Sequence, residues 1–196
     1  MGLLALEHSK AVYWADFAFY GIAVTGLAAA LAWTSPPGQG PELALLAAAG
    51  LAGWTLIEYL LHRYVLHGLQ PFSRWHAEHH QRPSALIASP TLFSASLLLT
   101  LVFLPAWWLF GLWPGCAVTC GVLAGYLAYT ITHHATHHWN FDNAWLKRRK
   151  RSHALHHHLD KPVGFGVTSV FWDWVFGSAP RPRPASAQTA GQSAER

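Results

Sequence analysis

The chain has 196 residues, of which 52% are apolar and 11% charged, and its formal net charge is +4. Soluble domains carry about a quarter of their residues as charged side chains, yet the stretch between Arg82 and Asp142 contains no Asp, Glu, Lys or Arg. This composition excludes an ordinary soluble domain. The cationic run Lys147–Arg151 lies beside apolar segments, so it indicates contact with anionic lipid headgroups rather than with nucleic acid.

Four apolar segments follow one another along the chain, and we expect each to form a membrane-spanning helix. The first ends at a turn-forming stretch rich in Pro and Gly, residues 35–41. The last two are separated by Trp113-Pro114-Gly115, which we expect to form a tight reversal. The sequence therefore predicts an all-α integral membrane protein with about four transmembrane helices, near residues 11–33, 43–61, 92–110 and 116–131.

The lysines and arginines fall on one side of this arrangement. The connections after the first and third spans contain neither residue type, whereas Lys10, Arg63, Arg74, Arg82 and the run 147–151 lie on the opposite side. Cytoplasmic segments of membrane proteins are enriched in Lys and Arg. We therefore expect both termini and every histidine cluster to be cytoplasmic, in the inner membrane of a bacterium.

The domain organisation expected from this pattern is simple. Residues 1–177 form a single membrane domain. Residues 178–196 contain Pro-Arg repeats followed by Ser, Ala and Gln, and we expect them to form a disordered tail.

Histidine is over-represented, with 14 residues that fall mostly into four clusters. Two clusters have the spacing His-x2-His-His, which brings all three side chains to one helix face. Imidazole suits Fe, Zn, Cu and Ni, and the lack of thiolates argues against a Cys-rich structural zinc site. Because one metal takes roughly three to six ligands, these clusters predict two metal ions. The candidate ligands are His62, His67, His76, His79, His80, His133, His137, His153, His156 and His157.

The spacing leaves two questions open. His62 and His67 are five residues apart, about 140° around an α-helix, which suits two different metals or a position across a helix end. The third cluster offers two pairs that are both four apart and both compatible with a helix, His133 with His137 and His134 with His138. His8 and His158 lie outside the repeated spacing, and we interpret them as ordinary polar residues.

Two carboxylates are placed to support the ligands. Glu58 lies four residues before His62, and metal-bound histidines usually donate their second N–H to a carboxylate or carbonyl. Asp173 lies between two tryptophans, where an unpaired carboxylate would be costly. We therefore predict that Glu58 and Asp173 support the site, and that Gly164 and Gly166 form a turn beside it.

The order of the histidine clusters resembles that of the fatty acid hydroxylase and sterol desaturase superfamily of membrane di-iron oxygenases. The segment that follows is similar to the fatty acid 2-hydroxylase branch, with Gly-Phe-Gly-Val-Thr-Ser at residues 164–169, Trp172-Asp173 and Val-Phe-Gly at residues 175–177. The resemblance covers residues 58–177. It includes the Tyr-x-x-Thr-His pattern at Tyr129–His133, which favours His133 and His137 as ligands, whereas the distance to His153 would suit His134 and His138.

The resemblance implies an oxidoreductase with two iron ions at the cytoplasmic face, beneath a helical cap formed by the cytosolic segments. Such an enzyme uses O2 and two electrons to convert an unactivated C–H bond of a lipid into C–OH, here on an acyl chain at C2. The electrons would come from a separate ferredoxin- or cytochrome-type protein, and zinc can replace iron during purification. One departure bears on the substrate, because the stretch after His80, residues 83–90, is shorter than the loop of that branch.

Two alternatives follow from the same residues. The first is hydroxylation of a carotenoid ring, or oxidation or desaturation of a sterol, by the same centre. The second belongs to another class, a membrane metal carrier. A carrier would need ionisable residues near the middle of the bilayer, and the third and fourth predicted spans contain none before the histidine cluster.

Overall fold

The computed structural model describes residues 6–159 and 162–180. This part of the chain is helical, and its single extended feature is an isolated antiparallel bridge between Glu7 and Ile87. The helices are α1 (Lys10–Thr34), α2 (Gly40–Leu60) continued by a π-helical turn (Leu61–Leu66), α3 (Phe72–Gln81), α4 (Thr91–Leu98), a second π-helical segment (Leu99–Phe103), α5 (Leu104–Phe110), α6 (Leu112–His138), α7 (Ala144–His158) and α8 (Phe171–Val175).

Four helical segments are long and apolar enough to cross a membrane. They are α1, α2 with its π-helical turn, the continuous segment 91–110, and α6. Their outer surfaces carry large apolar side chains that a soluble protein would bury, such as Trp33, which is 85% exposed, and Leu101, which is 69% exposed. The predicted fold class, an all-α membrane protein with about four spanning helices, is confirmed.

Helix α6 is the centre of the bundle, and it packs against α1, α2 and α5. The ring of Tyr126 on α6 meets Tyr20 of α1 edge-on at 4.6 Å and Trp54 of α2 edge-on at 5.3 Å. Edge-to-face geometry is favourable for aromatic pairs, and Tyr20 and Trp54 are both buried. These contacts hold the ends of α2 and α6 side by side, where the histidines begin.

The reversal between the third and fourth spans differs from the prediction. Trp113-Pro114-Gly115 lies in the first turn of α6, and the chain reverses at Gly111, whose φ of +87° favours glycine. Pro114 fits there because the first turn of a helix does not need its missing N–H.

Two spans are also longer than predicted. Helix α6 continues to His138 and the second span continues to Leu66, because backbone hydrogen bonding does not stop where the apolar run stops. As a result, these two helices carry their histidine clusters directly.

A cap covers this end of the bundle. Helix α3 packs on the π-helical turn, α7 packs on α6, and α8 packs on α2. Ser178, the first residue of the predicted tail, is 8% exposed and its hydroxyl bonds Tyr59 and Asp173, so it packs with the cap. Residues 181–196 of that predicted tail lie outside the described residues.

Candidate metal centre

Ten histidines form two adjacent groups. Within each group, one nitrogen of every ring lies within 4.8 Å of those of the other four. The first histidine group consists of His62, His67, His76, His80 and His156, and the second consists of His79, His133, His137, His153 and His157. These are the ten residues that the sequence analysis predicted as candidate ligands.

The spacing of the ring nitrogens fits metal coordination. Six pairs of neighbouring Nε2 atoms are separated by 2.8 to 3.1 Å. A metal with M–N bonds of about 2.1 Å separates two ligands at right angles by about 3.0 Å. An all-imidazole donor set with this spacing suits two transition-metal ions of the iron or zinc type.

The π-helical turn brings His62 and His67 together. A π-helix bonds residue i to residue i+5, and the N–H of His67 accordingly donates to the carbonyl of His62 at 3.2 Å. Both side chains therefore lie in the first histidine group, and the interpretation that they serve two different metals is wrong. The other interpretation, a position across a helix end, matches the structure, since His67 follows the last π-helical residue.

Helices α3 and α7 each divide their three histidines between the groups. On α3, His76 and His80 belong to the first group and His79 to the second. On α7 the assignment is reversed, with the pair His153 and His157 in the second group and His156 in the first. Each triplet therefore shares one helix face, as the spacing predicts, but that face borders both groups and divides its histidines between them.

The third cluster presents one pair to the centre and the other to α1. His133 and His137 lie in the second histidine group. His134 instead hydrogen-bonds the hydroxyl of Tyr13 at 3.2 Å and stacks on His138 with ring centroids 4.5 Å apart. This geometry favours His133 and His137 as the ligand pair.

The two histidines interpreted as ordinary polar residues lie outside both groups. His8 binds the carbonyl of Ala88 through Nε2, and His158 is exposed.

Glu58 and Asp173 hold a loop rather than a histidine. Glu58 accepts hydrogen bonds from the N–H groups of Val167 and Thr168 and from the Thr168 hydroxyl, at 2.5 to 2.9 Å. Asp173 accepts from the N–H groups of Phe165 and Gly166, each at 2.8 Å. The prediction that Glu58 bonds His62 is wrong, because the loop 162–170 supplies the donors that satisfy this buried carboxylate.

The same loop supplies the carbonyls that orient two candidate ligands. Nδ1 of His62 donates to the carbonyl of Phe165 at 2.5 Å, and Nδ1 of His156 donates to that of Val163 at 2.9 Å. Both rings therefore carry their proton on Nδ1 and keep Nε2 free for a metal.

Sequence reasoning missed these partners because a backbone carbonyl has no signature of its own. The one signal in the sequence was the pair Gly164 and Gly166, which predicted a turn beside the site; in the structure a Cβ at Gly166 would lie 1.9 Å from the carbonyl oxygen of Ser169.

Burial keeps the cap histidines neutral. Desolvation is the largest cause, and neighbouring imidazoles add to it, so the pKa of His79 and that of His156 are each lowered to about 3 and that of His80 to about 4. Burial also raises the pKa of Asp173, although hydrogen bonds from Gly166, Ser178 and Phe165 oppose that rise. Neutral imidazole is the form that binds metals.

A cavity of about 150 Å³ leads to the histidines. Its walls include the aromatic rings of Phe17, Trp75 and Phe93, together with His76 of the first group and His79 and His133 of the second. Asp16 is the one Asp, Glu, Lys or Arg among the described residues that line it, and its carboxylate accepts a hydrogen bond from Thr91 at 2.6 Å.

The short stretch after His80 contributes part of the wall of this cavity. Residues 87–90 line it together with Leu6. The N–H of His8 donates to the carbonyl of Leu86 at 2.9 Å, and the N–H of Ala88 donates to that of Leu6 at 3.0 Å. The stretch whose shortness departs from the fatty acid 2-hydroxylase pattern therefore contributes residues 87–90 to this cavity.

A second cavity, of about 190 Å³, lies on the α7 side of the centre. It is lined by His137, His153 and His157 of the second histidine group, with Lys150 and Pro83 among the other walls. All five histidines of the second group thus border one of the two cavities, whereas His76 is the single member of the first group that does so.

Comparison with known proteins agrees with this site. The family model described as fatty acid hydroxylase matches residues 47–178. The chain belongs to the fatty acid hydroxylase family. The matched range begins in α2 and ends at Ser178, so it contains both histidine groups and the loop that orients His62 and His156. The resemblance inferred from the histidine pattern is confirmed.

Individual members of the family show the same relationship. The chain is 34% identical over 165 residues to the dihydroceramide fatty acyl 2-hydroxylase of Arabidopsis thaliana, covering 76% of this chain and 66% of that protein. It is 34% identical over 150 residues to the ceramide very long chain fatty acid hydroxylase of Saccharomyces cerevisiae, covering 66% of this chain and 36% of that protein. The chain therefore spans less than two thirds of either relative.

The fold is that of a solved fatty acid hydroxylase. Superposition on full-length scs7p, of which only the hydroxylase domain is visible, gives a TM-score of 0.74 at 27% identity. The match covers 91% of this chain and 69% of that one.

Proposed function

We propose that this chain is a dimetal, O2-dependent lipid hydroxylase that hydroxylates an acyl chain at C2. Its family and its named relatives support a lipid hydroxylase. The two histidine groups supply donors for two metal ions, for which we propose iron, with zinc as the ion that replaces it during purification.

One observation carries the proposal. The cavity lined by Phe17, Trp75 and Phe93 is also lined by His76, His79 and His133, which come from both histidine groups. Apolar and aromatic walls are what an acyl chain needs. A carbon held in this cavity beside these histidines would lie close to both proposed metal positions.

The protein's own residues bind, orient and exclude water. The ten histidines would hold the ions through Nε2, and the carbonyls of Phe165 and Val163 fix the rings of His62 and His156. When bound, two iron ions would supply the activation of O2 that the conversion of C–H to C–OH requires. The balanced reaction consumes O2, two electrons and two protons, and releases one water.

We propose a separate ferredoxin- or cytochrome-type protein as the electron donor and the cytoplasm as the side that carries the centre. The second proposal is supported by Lys10, Arg63, Arg74, Arg82 and the run 147–151, which belong to the end of the bundle that carries the histidines. We also propose that the folded domain continues to Ser178, where the family match ends.

Lipid analysis tests the proposal directly. Cells that express the chain should contain lipids one oxygen heavier than those of control cells, with the hydroxyl on C2 of the acyl chain. His156→Ala should abolish this product because it removes a proposed ligand. His158→Ala is the matched control and should leave the product unchanged, since His158 is exposed and outside both groups.

Two results would contradict the proposal. If the product is an oxidised carotenoid or sterol, the proposed acyl substrate is wrong and the proposed dimetal centre stands. An unchanged lipid profile, in cells where the purified chain binds two metal ions and a reductant is present, would remove the hydroxylase function.

A further inference from the structure

The two histidine groups have five members each, but they differ in the hydrogen bonds that hold their rings in place. If each ring presents Nε2 to a metal, its proton must lie on Nδ1, and the partner of that N–H fixes the tautomer and the angle of the ring. The comparison of the two groups therefore depends on the partners of Nδ1.

In the first histidine group, two rings are anchored on the loop 162–170. His62 donates to the carbonyl of Phe165 and His156 to that of Val163. The loop is in turn held by Asp173, which accepts from Phe165 and Gly166, and by Glu58, which accepts from Val167 and Thr168. The carbonyls cannot move without breaking these buried hydrogen bonds.

The second histidine group has no such anchor within residues 6–159 and 162–180. Nδ1 of His79, of His153 and of His157 is buried without a hydrogen-bond partner in the described part of the chain. Since His79 is 5% exposed and His153 4% exposed, bulk water does not reach these rings freely. Their orientation is set by packing alone.

The two groups also differ in how many of their histidines border a cavity. His137, His153 and His157 line the second cavity, and His79 and His133 line the first. In the first group, His76 alone among the described members borders a cavity. A small solute can therefore approach the second group from two sides.

We propose that the two metal positions are inequivalent, with the ion of the first histidine group retained and the ion of the second exchangeable. This inference rests on the proposed dimetal function. The second position empties first, because its ligands are less constrained by hydrogen bonds and all five border one of the two cavities. Removing such supporting partners typically changes metal affinity by 10- to 100-fold, so we expect the two ions to leave at rates that differ by at least about tenfold.

The test is a chelator time course on the purified full chain loaded with Zn2+, with released zinc followed by a colorimetric chelator. Two phases of equal amplitude, about one ion per chain each, are expected. His157→Ala should remove the fast phase and His67→Ala the slow phase. His80→Ala replaces the second variant should it fail to fold.

A loop variant connects the slow phase to its structural cause. Asp173→Asn should accelerate the slow phase and leave the fast phase unchanged, because it loosens the carbonyls that hold His62 and His156. Glu78→Gln, an exposed carboxylate on α3, is the control and should change neither phase.

The outcomes separate this inference from the proposed function. Two ions that leave at one rate, or a slow phase that survives in His67→Ala, would overturn the inequivalence and leave the dimetal centre intact. A chain that binds no metal would overturn the dimetal proposal, and this inference with it.

Discussion

The imidazole rings of His79 and His156 are buried away from water, and neither ring has a charged partner. The pKa of each falls from 6.5 to about 3, so both rings are neutral in the folded protein at any pH above that value. An unfolded chain has no such constraint and takes up protons near pH 6.5. Acid therefore stabilises the unfolded chain relative to the folded, metal-free protein.

The sign and window of this effect follow from linkage. Between pH 6.5 and about 3 the unfolded state binds more protons, so the free energy of unfolding falls as pH falls, by up to about 1.4 kcal/mol per pH unit for each such histidine. We expect the thermal midpoint of the metal-free protein in detergent to change little above about pH 7 and to drop as the pH falls from about 6.5 to 5. His79→Gln should reduce the slope and His158→Gln should not. A midpoint independent of pH would contradict this.

At the scale of elements, the loop 162–170 and the π-helical turn do what a regular helix cannot. The loop turns two backbone carbonyls toward the histidines, and this geometry depends on Gly166. A methyl group at this position would lie 1.9 Å from the carbonyl oxygen of Ser169 and 2.9 Å from Oδ2 of Asp173.

Gly166→Ala should therefore displace the loop and misalign His62 and His156. We expect a loss of stability of about 1–3 kcal/mol and at least a tenfold loss of hydroxylated lipid, measured by thermal unfolding and by lipid analysis. Gly53→Ala is the matched control. A Cβ at Gly53 meets nothing within 4 Å, and alanine favours a helix over glycine. Equal effects of the two substitutions would argue against a role for the loop.

The π-helical turn sets the angle between His62 and His67. Inserting one alanine after Tyr64 makes the histidines six residues apart, which neither an α-helical nor a π-helical turn brings to one side. We expect this variant to lose the ion of the first histidine group, so that metal analysis gives one ion per chain. Tyr64→Ala keeps the length and should retain both ions. Two ions in the insertion variant would show that the spacing is not required.

At the scale of the whole molecule, orientation in the membrane is the proposal with the most direct test. A membrane-impermeant maleimide should label Pro37→Cys, between α1 and α2, in intact cells, and should label Arg148→Cys on α7 only after the cells are opened. The background replaces Cys116 and Cys120 by serine. The reverse labelling pattern would place the centre on the outer face.

Much of this architecture could be predicted from the sequence, because apolar length and histidine spacing are local signals. The four spans and the ten clustered histidines are of this kind. The division of His76, His79 and His80 between two groups could not be predicted, since it depends on how α3 lies between α2 and α7. The role of Glu58 could not be predicted either, because its partners include backbone N–H groups 109 and 110 residues later in the chain.

Those sequence distances have a consequence for biogenesis. A chain that has inserted α1 to α6 and formed α7 already contains every histidine of the second group, whose last member is His157. The first group still lacks the carbonyls of Val163 and Phe165, and His62 finds its partner 103 residues along the chain. If the first group binds an ion as we propose, we therefore expect its stable loading to be a late event in biogenesis that follows docking of the loop 162–170.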